Sequence, residues 1–224
     1  MSATKKSVPP EPIGGDKAEL GQRALKDKKL LKQLVAALSG EDRAQRSLAA
    51  EVLHDVACSE PRLLQPHGTE FIDALLRPEA RTRWETLDVL TEMVAVDTRL
   101  VEKALSDAIE CMHDEESSVV RTSACRMLAA WGATTETRAA KIWPLLAEAS
   151  RAYHGDPEYG PMLAGVVTLV EGAAGDEVKW AAAELFENDV TDPDRGVARR
   201  AKRIAQLRPK RKPAKGAKPK AVPA

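Results

Sequence analysis

Trp84 and Asp88 stand four residues apart in the stretch "RTRWETLDVL", residues 81–90. On a helix that spacing puts the ring and the carboxylate on one face. A carboxylate so held can stabilise positive charge that develops as a bond breaks, a ring beside a carboxylate can anchor a partner protein, and an amphipathic ring can also simply pack over a neighbouring helix or loop. Other chemistry is sparse. The dyads His54-Asp55 and His113-Asp114 fall on different helix types and would not converge, so no metal site is expected. His54 then reads as a surface residue, and His113 as a helix-end residue favourable to the dipole. The cysteines Cys58, Cys111 and Cys125 are odd in number and show no CxxC spacing. They read as small buried apolar groups in a reducing cytoplasm, not as a disulfide or zinc framework. No GxxxxGK[ST], GxSxG or HExxH motif occurs, and no cofactor is expected.

The elements that must position these residues are helices. The chain has 224 residues, 4% aromatic and 30% charged, rich in Ala, Leu, Glu, Lys and Arg, a helix-favouring composition. No apolar run approaches the roughly 20 residues needed to span a bilayer. The N-terminal "MSATKKSVPPEPIGG" has no apolar h-region, so a secretory signal is not expected. Helical patterns of two alternating kinds succeed one another, and no segment alternates with period two. Arg46, Arg83 and Arg121 recur at spacings of 37 and 38, and Gly160 follows 39 residues later. Four residues past these positions stand Ala50, Leu87, Cys125 and Ala164, and seven past them Leu53, Leu90, Leu128 and Val167. Ten past them are Val56, Met93, Trp131 and Val170. Together these columns make one apolar helical stripe, repeated with a period near 38.

The repeating residues carry a family resemblance. "DEESSVVRTSACRML" looks like the second half of a HEAT repeat, "DPDRGVARRAKRIAQL" is similar, and "IWPLLAEA" resembles a first HEAT helix with its kinking proline, Pro144. The resemblance covers about residues 25–207. It implies an all-α fold, a right-handed α-α superhelix of the HEAT/armadillo-like solenoid kind with about five helix pairs. Residues 1–24 are expected to be a largely disordered N-terminal tail and 208–224 a disordered basic tail. The turn acids Asp42, Asp114, Asp156 and Asp192 or Asp194 suit helix N-termini. The resemblance further implies that Arg46, Arg83 and Arg121 pair with such acids between layers and are structural first.

With the stripe fixed, the polar columns hold Ser47, Glu51 and His54 in the first copy, then Trp84, Asp88 and Thr91. Thr122, Arg126 and Ala129 follow, and Pro161, Gly165 and Thr168 complete the set. HEAT proteins generally bind partners along the ridge of second helices. The resemblance therefore implies a non-enzymatic interaction scaffold with Trp84, Asp88, Arg126, Glu51, Ser47 and Thr122 facing a protein partner; the chain is expected to be bacterial, cytoplasmic and monomeric. "RWETLDVL" also resembles a segment of the bacterial HEAT-like DNA glycosylases that excise alkylated purines. That resemblance implies catalytic roles for Asp88, Trp84 and Arg121 (or Arg126). The column of that family's second cleft tryptophan holds Ala164 or Gly165 here.

Charge is segregated. The twelve basic residues from Arg195 onward are accompanied by no acid, leaving 22 basic against 34 acidic residues before them, a net charge of −12. An acidic body disfavours phosphates in a groove. The tail residues Arg208, Lys210, Arg211, Lys212, Lys215, Lys218 and Lys220 are the expected nucleic-acid contacts, non-specific in kind.

Overall fold

The structure is a computed structural model that describes residues 13–210. Residues 1–12 and, within the basic tail, Arg211, Lys212, Lys215, Lys218 and Lys220 lie outside the described residues. The chain divides into two compact units, Met1–Val96 and Asp97–Ala224. Among the described residues every regular element is helical, and no helix is long and apolar enough to cross a membrane.

The first unit contains α1 (Lys17–Ala24), α2 (Lys28–Ala37), α3 (Arg43–Ser59), a 3-10 helix (Pro61–His67), α4 (Gly68–Ala74) and α5 (Ala80–Met93). The long second helices α3 and α5 pack side by side, with α2 against α3 and α4 against α5. The shared apolar surface is Ala50, Leu53 and Val56 on α3 and Leu87, Leu90 and Met93 on α5, all essentially inaccessible to solvent. These are the stripe positions read from the sequence. Neither helix pair could bury its stripe alone, so each supplies the other's core.

α1 corrects the expected tail. Residues 17–24 are helical, capped by Asp16, whose carboxylate accepts from the amides of Ala18 and Glu19. Leu20 and Ala24 are buried where α1 packs on α3. Lys17 reaches Glu51 at 3.0 Å and Asp55 at 3.6 Å. Upstream, the Ile13 amide donates to the Gln45 side chain at 2.8 Å. The segment "KAELGQRA" is only eight residues long, with one large apolar side chain and a central glycine. That is too little periodicity to read, and packing on α3 supplies what local propensity does not.

The second unit contains α6 (Thr98–Lys103), α7 (Leu105–Met112), α8 (Ser118–Gly132), α9 (Glu136–Ala152), α10 (Tyr159–Glu171), α11 (Asp176–Leu185), a 3-10 helix (Asn188–Thr191) and α12 (Arg195–Gln206). The second helices α8, α10 and α12 pack in succession, each with its first helix alongside. Trp131 sits in the core of α8, with its indole N–H donating to the Thr98 carbonyl at 3.0 Å. α9 runs through Pro144 without interruption. Proline lacks the N–H that would reach Ala140, and both residues are exposed, so water can satisfy that carbonyl.

Two arginines tie successive second helices together. The Arg46 guanidinium, buried on α3, forms a fork with the Glu79 carboxylate, Nε to Oε2 at 3.0 Å, and donates to the carbonyls of Gly40 and Glu41. Arg121 on α8 makes a related link, with two of its nitrogens donating to the single oxygen Oε1 of Glu158 and a third to the Asp114 carbonyl, and its guanidinium lies 4.8 Å from the Tyr153 ring centroid. Glu79 and Glu158 are the residues that open α5 and α10. A carboxylate there also meets the positive end of the helix dipole. The partners are thus not the turn aspartates: Asp42 and Asp194 cap their own helices through two backbone amides each, whereas α8 is capped by Ser117 and α10 is opened by Glu158, not by Asp114 and Asp156 as expected.

The register of the fourth copy also differs from expectation. Arg46, Arg83 and Arg121 each stand four residues after the residue that opens the helix: Asp42, Glu79 and Ser117. In α10, opened by Glu158, that position is Met162, not Gly160. The turn around Gly155, at φ 90°, lengthens the repeat. Met162, Val166 and Leu169 are therefore buried, and Ala164 and Val167, placed in the stripe by sequence, are half-exposed. Gly165 is buried at the crossing of α8 and α10, where an added Cβ would meet the Cys125 carbonyl at 3.4 Å and the Ala129 Cβ at 3.5 Å, ordinary contact distances that leave little room beyond a methyl group. Cys111 and Cys125 are buried as expected and Cys58 is exposed. Burial pushes the Cys125 thiol up to about 12, leaving it a spacer and not a nucleophile.

The arginine links generate two predictions. Arg121→Met strands a buried carboxylate, at about 3–5 kcal/mol, and the further change Glu158→Leu recovers most of the loss, read as shifts in the urea midpoint. Hydrogen bonding from Arg46 holds the Glu79 carboxyl below its ordinary range. For Glu158, burial acts upward, but the hydrogen bond from Arg121 and the helix-end amide bring it down overall. A depressed folded-state value means stability that is full above the unfolded carboxylate range near ~4.3 and is lost as pH falls through the folded values. Melting temperatures of the parent should therefore drop on acidification below about pH 5, and those of Arg121→Met less steeply.

Candidate functional site

In the first unit, Trp84 lies half-buried beside a shallow depression of about 620 Å³ lined by Asp42, Arg43, Ser47, Glu79 and Arg81 among others. Ser47 and Thr82 approach through their hydroxyls at 3.3 Å. Asp88 and Glu51 are not presented as the sequence suggested. Asp88 is buried, 8% exposed, in a run from Glu85 to Leu90 that is buried throughout. Glu51 is half-buried between Lys17 and Arg81, the latter at 2.9 Å. The cause for Glu51 is α1, which brings Lys17 onto the α3 face that was read as open.

His54 corrects a further expectation. Its Nδ1 lies 2.8 Å from Glu85 Oε2, so it is part of a half-buried pair and not a free surface group. Burial raises the Glu85 carboxyl, but hydrogen bonds from His54 and Trp84, with the positive charges of His54 and Lys17, lower it overall. Trp84 is thereby tied to its neighbour as well as facing outward. His54, Glu85 and Asp88 each offer one ligand atom, all within 4.8 Å of one another. One imidazole and two carboxylates are a donor set suited to a divalent cation. Within this group His54 and Glu85 are also hydrogen-bonded to each other, and the Lys17 charge acts on the same carboxylate. Sequence reading missed this grouping because it looked for adjacent dyads. Glu85 and Asp88 are one helical turn apart on α5, and His54 arrives from α3.

In the second unit, Thr122 is half-exposed with its hydroxyl donating to the Ser118 carbonyl, and Arg126 is exposed. Arg121, named with Asp88 and Trp84 as an alternative catalytic residue, has its guanidinium committed to Glu158 and the Asp114 carbonyl.

A further concavity lies at α12. α12 buries Val197, Ala198, Ala201 and Ile204 and leaves Arg195, Arg199, Lys202 and Arg203 exposed. The apolar spacing of three and four alone puts those cations on the opposite face. Between this face, α10 and the 3-10 helix lies an open cleft of about 970 Å³. Ala164, Val167, Val190 and Ala198 form its apolar lining, and the α12 cations with Gln206 form its rim. The 3-10 helix is held from behind by Asp189, which is buried and accepts from the Tyr159 hydroxyl, with His154 at 3.4 Å. Arg203 reaches Glu171 at 2.5 Å across the rim. At the exit of α12, Arg208 stacks 3.9 Å over the Trp180 ring and Lys210 is exposed. Sequence reading noted the basic run from Arg195 but placed anion contacts only from Arg208 onward. It also buried Ala164 and Val167, so the cleft could not be seen.

No protein-family model matches the chain, and a search of curated proteins gave no match. Solved structures do match. A designed armadillo repeat protein in complex with a (KR)4 peptide is similar at a TM-score of 0.68 and 13% identity, over 85% of this chain and 90% of that one. An engineered protein from a structural-genomics consortium is similar at 0.67 and 14%, over 85% and 87%. Kap95p, solved with RanGDP, is similar at 0.57 and 9% identity over 90% of this chain, which spans 28% of the karyopherin chain. With second helices packed in succession inside each unit, and with these likenesses, the chain has the all-α, armadillo/HEAT-like α-solenoid fold.

Proposed function

We propose that this protein is a non-enzymatic interaction module that binds a polypeptide partner on the exposed faces of its second helices, chiefly in the cleft between α10 and α12. The observation that carries the reading is the cleft itself: about 970 Å³, open, apolar at its floor and cationic at its rim. A concave surface with an apolar centre and a charged rim is the anatomy of a protein-binding site. The structural neighbours support it by kind, since one is bound to a peptide and another was solved with a protein partner. Trp84 is a second contact point in this reading, joined by Ser47 at the same depression, with Arg126 and Thr122 on α8 as further contacts. The module acts as a monomer in the cytoplasm. The basic tail from Arg208 to Lys220 adds a separate, non-specific attraction to nucleic acid.

Each part has its own test. Val167→Asp puts a charge on a half-exposed wall of the cleft and should leave the far-UV circular dichroism unchanged. It should remove the polypeptides that co-purify with the parent from nuclease-treated native extract. If the same polypeptides remain at parental yield, the cleft is not the binding site. Trp84→Ala should lower partner affinity by a factor of about 30 if the ring is a hot spot. An unchanged titration removes it from the interface. Deleting residues 208–224 should abolish retention on duplex DNA, whose log–log salt slope is about −6 if all seven basic residues engage phosphates.

A further inference from the structure

From the charge and lining of the α10/α12 cleft, we infer that its occupant is an acidic polypeptide segment whose carboxylates meet Arg199 and Arg203 while small apolar side chains rest on Val167 and Val190. This deepens the reading above and rests on it.

The first argument is where the cations are. Residues 97–194 carry 19 acidic and 8 basic residues, yet α12 carries five basic residues and no acid. Five of the fifteen basic residues described in this unit thus stand on one helix without an acid among them, and that helix forms the rim of the cleft. Arg195, Arg199 and Arg203 succeed one another at intervals of four, with Lys202 three past Arg199. Like charges at those spacings destabilise a helix. Among the described residues, no carboxylate forms an ion pair with Arg195, Arg199 or Lys202; Arg203 alone of the four is bridged, to Glu171. A row of carboxylates laid along the rim relieves this repulsion, and guanidinium groups bind carboxylates through paired hydrogen bonds.

The second argument separates polypeptide from nucleic acid. The lining offers Ala164, Val167, Val190 and Ala198 and no aromatic ring. Single-stranded nucleic acid is held by stacking of bases on rings, which this cleft does not provide. A phosphate backbone also makes no use of an apolar floor. Asp192 faces the cleft too, with its carboxylate accepting from the Asp194 amide at 2.7 Å. A negative charge there opposes a dense row of phosphates more than it opposes carboxylates spaced among apolar residues. The designed armadillo relative was solved with a (KR)4 peptide; the rim charges here select the opposite sign.

The test uses the full-length chain and the double variant Arg199→Glu/Arg203→Glu, both exposed positions, with circular dichroism confirming an unchanged fold. Fluorescence anisotropy compares three probes: a labelled peptide of Glu and Leu, its Lys/Leu counterpart, and a single-stranded DNA oligonucleotide. The acidic peptide should bind the parent in a salt-sensitive manner and lose about tenfold or more in affinity in the double variant. The Lys/Leu peptide should bind the parent more weakly than the acidic one. DNA affinity, carried by a tail identical in both proteins, should change by less than about twofold. Unchanged affinity for the acidic peptide overturns the inference, and so does a parallel tenfold loss for DNA, which would make the cleft a phosphate site. If Val167→Asp removes co-purifying polypeptides while the acidic peptide is insensitive to charge reversal, the cleft binds polypeptide of another character and only this inference falls. If neither variant has an effect, both readings fall.

Discussion

Each helix pair of this chain has one apolar side too many, and everything else follows from where that side is buried. In the first unit the stripe of α3 closes against α5; in the second, α8 closes against α10 and α10 against α12. Apolar burial is non-directional, however, and would tolerate a helix sliding or rotating on its neighbour. The ion-paired links Arg46–Glu79 and Arg121–Glu158 supply direction. Each joins the first turns of one second helix to the opening residue of the next and also gathers carbonyls from the preceding turn. Buried pairs of this kind add little net stability but are costly to break, so they act as registration devices for the stack.

That division of labour determines where chemistry can appear. Side chains at stripe positions are spent on packing, and the recurring arginine is spent on registration. What remains for ligands is the outer face of each second helix, as modified by whatever the chain lays over it. α1 covers part of α3 and draws Glu51 and Asp55 into contact with Lys17. Glu85 and Asp88 are buried on α5, and His54 joins them through Glu85. At α12 the outer face stays open and takes on a strong positive charge. The two units thus expose faces of different character although they are built from the same repeat.

The contrast between Arg121 and Arg199 shows how context decides a guanidinium's role. Arg121 lies under Glu158 and Tyr153, is mostly buried, and its charge is stabilised by a carboxylate it cannot leave without cost. Arg199 stands one residue past the corresponding position of its own helix, which is enough rotation to carry it into solvent and onto the rim of the cleft. A shift of one residue is about 100° around a helix, and with it a structural cation becomes one available to a ligand.

The sequence by itself determined the all-helical class, the repeat of about 38 residues, the core columns at Ala50, Leu53, Leu87, Leu90, Cys125 and Leu128, and the structural character of Arg46 and Arg121. Those features recur, and recurrence of apolar and charged types at helical spacing is what a one-dimensional string records well. It did not determine α1, the partners of the arginines, the burial of Asp88, the pairing of His54 with Glu85, or the α10/α12 cleft. Each of these depends on contacts about 30 or more residues apart in sequence, or on the turn before α10, where added residues shifted Met162 into the arginine column and turned Ala164 and Val167 outward. Only the tertiary structure fixes such rotations, because the turn that sets them carries no periodic pattern of its own.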